Sequence, residues 1–118
     1  MINDAYNYLI GKTNSIATSY SETFDPDSPV IAAVYRCVGG KTSKSVGRVR
    51  QYTRYSFNVL VRANQSSTEI STICDSMVTA LDMDSTGVIM CLVTSEPQYA
   101  YTDDNGNLNY TFNVDVLL

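Results

Sequence analysis

The chain has 118 residues, 44% of them hydrophobic and 17% charged, with a net charge of −4, which sets one folded domain, 1–118, as the expectation rather than a disordered chain. No apolar run approaches the roughly 18 residues of a membrane helix, and Met1-Ile2-Asn3-Asp4 lacks the basic start and apolar run of a signal peptide. There is no His, so Ser-His-Asp and Cys-His catalysis and every His-containing metal site are excluded, and composition points away from an enzyme.

Asn3 can cap a short helix with Asp4 in its first turn, and Ala5, Tyr6, Leu9 and Ile10 follow at helical spacing, with Gly11 placed to close it. This predicts a helix over about 3–10, with room for one more turn. Residues 14–23, rich in Ser and Thr, predict a short strand. Phe24-Asp25-Pro26-Asp27-Ser28-Pro29 reads as a turn. Val30 to Val38 is apolar and β-branched and predicts a strand ending at Gly39-Gly40. Residues 39–50 lack periodicity and bulk and read as a flexible basic loop.

From Gln51 to Ala63 the residues alternate, with Tyr55, Phe57, Val59 and Val61 on one side and Arg54, Ser56, Asn58, Leu60 and Arg62 on the other. Period 2 over that length predicts a strand with one buried face. Ser66-Ser67-Thr68-Glu69 has the capping-box pattern, and Ile70, Ile73, Cys74, Met77, Val78 and Leu81 then form one helical stripe. Val88 to Val93, apolar at every position, predicts a central strand. Glu96-Pro97 breaks it. Asp103-Asp104-Asn105-Gly106 predicts a hairpin turn between strands at 98–102 and 107–118, the last with Tyr110, Phe112, Val114, Val116 and Leu118 on one face. The order α-β-β-β-α-β-β-β predicts an α+β fold: a mainly antiparallel mixed sheet with an N-terminal helix and one central amphipathic helix packed on one face.

Charge is segregated along the chain. Residues 36–62 carry Arg36, Lys41, Lys44, Arg48, Arg50, Arg54 and Arg62 with no acid, whereas residues 63–118 carry eight acids and no base. Two readings stand: acids and bases meet within the folded monomer, or a basic and an acidic surface support head-to-tail self-association or an acidic partner. Cys37, Cys74 and Cys91 form no Cys-x-x-Cys and read as reduced core or strand thiols, which suits an intracellular fold.

Chemical motifs fail at specific positions. Gly40-Lys41-Thr42 would need a glycine at position 35 to be a phosphate loop, and Tyr35 stands there. Asp103, Asn105 and Asn107 would need a glycine at 108 to be a calcium loop, and Leu108 stands there. No metal and no cofactor is expected. The basic loop with Tyr52 and Tyr55 beside it suits nucleic acid locally, but a pI near 4.5 argues against that use. An assembly contact through Lys41, Lys44, Arg48, Arg50 and Arg54 is the leading reading, against a solvated loop. Tyr99, Tyr101 and Tyr110 on the C-terminal hairpin read first as core and sheet surface, second as interface.

The ordered set of features resembles a known family. It comprises the N-terminal helix, Asp25-Pro26-Asp27-Ser28-Pro29, the strand into Gly39-Gly40, Phe57-Asn58-Val59-Leu60-Val61-Arg62-Ala63 leading into an amphipathic helix, Thr94-Ser95-Glu96-Pro97-Gln98-Tyr99, Asp103-Asp104-Asn105-Gly106 and a chain-ending strand. Over about residues 3–118 it looks like the tail terminator (tail completion, or minor capsid) proteins of long-tailed bacteriophages; the long basic stretch 41–50 departs from the family pattern. The resemblance implies a homo-oligomeric ring, commonly a hexamer, on the head-proximal end of the tail tube. There it stops elongation and offers the docking surface for a head completion or connector protein, with DNA only passing through. It places the chain in the virion neck, and in host cytoplasm during assembly, with no membrane. The alternatives are a small nucleic-acid-binding or regulatory module using the basic loop, and another neck component such as a head completion protein.

Overall fold

A computed structural model of the chain describes residues 2–24, 29–44, 50–64 and 67–118. The elements are α1 (Ile2–Thr13), β1 (Thr18–Ser21), β2 (Ala32–Lys44), β3 (Arg50–Ala63), α2 (Ser67–Leu81), β4 (Met90–Val93), β5 (Gln98–Thr102) and β6 (Leu108–Leu117). They form the α+β fold expected from the sequence, with a six-stranded mixed sheet ordered β1-β2-β3-β6-β4, and β5 also paired to β6. Among the described strands the β1–β2 pair is parallel and the other pairs are antiparallel.

Both helices lie on one face and share one core with it. Ala33 and Tyr35 of β2, Phe57, Val59 and Val61 of β3, Cys91 of β4, and Phe112, Val114 and Val116 of β6 point inward, so the period-2 expectation holds for both central strands. Against them α1 sets Ala5, Tyr6 and Leu9, and α2 sets Ile70, Cys74, Met77 and Leu81, at spacings of four, three and four. Ile73 and Val78 only flank that line and are half-buried. Tyr6 meets Phe57 edge-on at 5.1 Å between ring centres.

The helix α1 takes the further turn the sequence left open. Gly11 lies inside it, and the last turn continues to Thr13, which is fully buried. The reason is tertiary: Thr13 Oγ1 contacts the Tyr35 hydroxyl at 2.7 Å and Ser19 Oγ at 2.9 Å, and donates to the Leu9 carbonyl at 2.9 Å. Those bonds satisfy a polar group that burial would otherwise penalise.

The opposite face of the sheet is polar over β3 and β6, where the Asn58 amide donates to Thr111 Oγ1 (2.7 Å) and Asn113 Oδ1 (3.1 Å). Towards β1 it is covered. Arg62 donates to the carbonyls of Val30 (3.0 Å) and Pro29 (2.6 Å) and lies 4.4 Å over the Phe24 ring. Ala32 and Val34 are fully buried on that side.

Two expectations are corrected. The apolar run at 88–93 does not form a central strand: among the described strands β4 pairs only with β6 and ends the strand order, its other side meeting only the isolated bridge Asp84↔Cys91. An apolar run reports hydrophobicity and not the number of neighbours. Here α2 covers the inward side through Cys91, while Ile89, just before the strand, remains 51% exposed. The C-terminal strand β6 takes the inner place between β3 and β4, antiparallel to both. Second, residues 39–44 are strand rather than loop, paired along β3 from Gly39↔Ser56 to Lys44↔Arg50. Backbone pairing with the strongly β-forming 50–56 segment extends a ladder that residues 39–44 would not establish on their own propensity. The expected turn at 25–28, the capping residue Ser66 and the loop residues 45–49 lie outside the described residues. The hairpin turn is as expected: Asp103 Oδ1 accepts the amides of Asn105 (3.0 Å) and Asn107 (2.9 Å), which hold its carboxyl below the usual range, and Gly106 takes φ +81°.

Candidate functional site

The molecule measures 54 Å along its longest axis against 25 and 22 Å across. The length follows the β2–β3 hairpin, whose strands of 13 and 14 residues rise about 3.3 Å per residue. Neighbours cover only part of it. On the β2 side, β1 stops at Ser21↔Tyr35; on the β3 side, β6 reaches Arg54↔Leu117, and Thr53 exchanges two backbone bonds with Leu118, each 2.9 Å. Past Tyr35 the outer side of β2 has no partner strand among the described residues, and past Thr53 neither has that of β3, so the distal part of the hairpin projects as an arm.

The arm begins at a β-bulge. Cys37 pairs with Phe57 and Gly39 with Ser56, leaving Val38 as the extra residue, 66% exposed. Gly40 then faces Tyr55: an added Cβ would stand 3.2 Å from its ring carbon Cδ1, so a larger residue would crowd the ring and require it to shift by a few tenths of an ångström. The Gly39-Gly40 pair, read from sequence as a strand end, is the point where the strand bends and goes on.

Four of the five expected site residues share this arm. Lys41 lies directly across from Arg54, and Lys44 directly across from Arg50. Arg48 lies outside the described residues. The register thus gathers four cationic positions on the arm, and like charges at directly opposed positions of a ladder are in general destabilising. Arg54 is offset by Asp115 of β6, at 3.9 Å and exposed on the arginine side; such a pair contributes little.

At the far edge of the sheet lies a groove that sequence reasoning missed. Asp75 and Val78 of α2 with Asp82, just after the helix, form one wall, and Glu96 and Pro97, between β4 and β5, the other, with Tyr110 of β6 also lining it. Two adjoining hollows there measure about 310 and 330 Å³. Asp82 Oδ1 accepts the Val93 amide at 3.0 Å, tying the end of α2 to the end of β4. Among the described residues, Asp75 and Glu96 have no ion pair. Next to the groove β5 is exposed along its whole length, with Tyr99 and Tyr101 at 56% and 47%. The one sequence signal for this surface was the run of acids without a base after residue 62; that residues 75, 82 and 96 converge follows only from the fold.

Another polar cluster is structural. Asp84 accepts the Tyr8 hydroxyl and lies 3.5 Å from Lys12 Nζ, which pins α1 to the segment between α2 and β4. The Tyr8 hydrogen bond, with Thr86 and Lys12, holds the Asp84 carboxyl below its usual range, and burial raises the Tyr8 hydroxyl. Burial also pushes the free thiols of Cys74 and Cys91 up to about 11 and about 12, which makes them poor nucleophiles. Among the described residues no three His, Cys, Asp or Glu side chains come together as a metal site, and no described helix is long and apolar enough to cross a membrane. No protein-family model matches the sequence, and no curated protein is significantly similar to it.

Proposed function

We propose that this chain is a structural assembly subunit of the phage tail-terminator kind, a non-enzymatic protein that forms a ring on the head-proximal end of the tail tube. The ring stops tube elongation and presents the surface for a head completion or connector protein. The observation that carries this reading is the pairing of a basic strand arm at one end of an elongated α+β body with an acidic groove at the opposite sheet edge. Two different surfaces of opposite sign on one subunit suit heterologous contacts, which close into rings. The resemblance in element order adds the tube as partner, six as the ring size and the virion neck as the location, with DNA passing through without being bound.

The test is to polymerise the cognate tail tube protein with and without this chain and to measure tube lengths and end structures by negative-stain microscopy. Tubes of limited length carrying a ring at one end are expected; unrestricted growth with bare ends overturns the reading. The like-charged register of the arm also favours an anionic partner such as DNA. A mobility shift that is steep in salt and occurs at physiological salt would favour the nucleic-acid module instead.

A further inference from the structure

We propose that the groove between α2 and the β4–β5 connection, together with the open edge of β5, receives the β2–β3 arm of a second copy of this chain. The inference deepens the assembly reading above and rests on it.

Charge is the first argument. Asp75, Asp82 and Glu96 line the groove, and residues 63–118, which build its walls, contain no base. The arm supplies Lys41, Lys44, Arg50 and Arg54 in two directly opposed pairs. An anionic seat would relieve the repulsion between those pairs. A nucleic acid suits the arm alone and would be repelled from the groove.

Backbone pairing is the second. β5, Gln-Tyr-Ala-Tyr-Thr, pairs with β6 on one side and, among the described strands, with nothing on the other. It carries no charge and no proline, two of the features by which exposed edges are blocked, although its register with β6 shifts between Tyr99 and Tyr101. From Val38 to Lys44 the outer side of β2 likewise has no partner strand among the described residues. An arm laid along β5 completes both ladders, as in strand addition.

Geometry excludes the arm's own groove. Val93 pairs at the level of Val114, which faces Phe57, and Tyr110 faces Val61. The paired end of the arm, Lys44↔Arg50, lies seven to eleven residues further along β3, about 23–37 Å away in an extended ladder and directed away from the groove. The contact therefore joins separate copies. Because arm and groove are different surfaces, the contact is head-to-tail and leaves a free arm and a free groove until a ring closes.

The experiment is a charge exchange read by sedimentation velocity on the full chain, with thermal melts to show that each variant folds. In about 50 mM salt the native chain is expected to self-associate, and to dissociate as salt rises to about 0.5 M. K41E/K44E/R50E and D75K/E96K are each expected to weaken association by about 100-fold. The chain carrying both sets, and the equimolar mixture of the two single-set variants, are expected to associate again. A native chain that stays monomeric at about 1 mM protein in low salt, a folded single-set variant that associates normally, or a folded double set that fails to recover, each overturns the contact. Tube-length assays separate the two proposals. Association without capping sinks the terminator reading and leaves the contact standing, whereas capping that survives D75K/E96K sinks the contact and leaves the reading.

Discussion

The two halves of the β2–β3 hairpin are made of the same two strands and held by different forces. In the near half, Ala32–Tyr35 and their partners to Val59 lie between β1 and β6, under the helices on one side and the Phe24–Arg62 cover on the other; Ala32, Ala33, Val34 and Tyr35 are all fully buried. In the far half, beyond the bulge at Val38, the ladder continues, among the described residues, without a neighbouring strand on the β2 side. Hydrophobic burial stabilises the first at about 25 cal/mol per Å² of apolar surface. The second depends on backbone pairing that exchanges protein for water hydrogen bonds at small net gain, and it carries opposed cations besides. A surface kept at that low stability is suited to being completed by a partner.

The sharpest way to break this comparison is to delete a near-half side chain. Phe57→Ala, at a fully buried position against Tyr6, is expected to cost about 3–5 kcal/mol in urea unfolding. A loss under about 1 kcal/mol would mean that the near half is not the stabilising one. The helix covering it supplies a finer test. Leu81 is fully buried and Ile73 only half-buried, so Leu81→Ala is expected to cost about 2–5 kcal/mol and Ile73→Ala clearly less; equal losses would rotate α2 from its described orientation.

A third prediction uses pH on the body alone. The Cys74 and Cys91 thiols, ordinarily near 9.0, are raised by burial to about 11 and about 12. Their contribution is fully present below pH 9, where folded and unfolded thiols are both protonated. It declines above pH 9 as mainly the unfolded thiols ionise, by on the order of 2 kcal/mol for each thiol by pH 10.5. Urea midpoints that fall above pH 9 in the native chain, and fall less in C74A, would bear this out; a flat profile to pH 10.5 would place the thiols in contact with water. The smallest effect belongs to the arm. Replacing Lys41, Lys44 and Arg50 by Ser is expected to move stability by less than about 0.5 kcal/mol, since among the described residues no strand pairs with the outer side of β2 there. Early melting of that variant would show that the far half belongs to the folded core after all.

Legibility in the sequence followed the range of the interactions. The alternation through 51–63, the helical stripe at 70–81 and the Asp103–Gly106 turn each encode a local period or a local hydrogen bond, and each element stands where it was expected. The 39–44 segment was misread because its glycines and serines have little strand preference; its structure comes from the partner strand and not from itself. Four of the expected site residues were identified as a set because they are neighbours in charge pattern. Their opposition as Lys41↔Arg54 and Lys44↔Arg50 needed the register, which a bulge at Val38 and another irregularity at Ser43/Lys44 shift.

The sequence by itself determined the class of each long element and the separation of basic from acidic residues, because periodicity and charge are carried by neighbouring positions. Only the tertiary structure decided that β6 lies between β3 and β4, that the apolar 88–93 run ends at an edge, and that Asp75, Asp82 and Glu96 line one groove. Strand neighbours are chosen by burial and pairing summed over the whole sheet, and residues dozens of positions apart meet only once that choice is made.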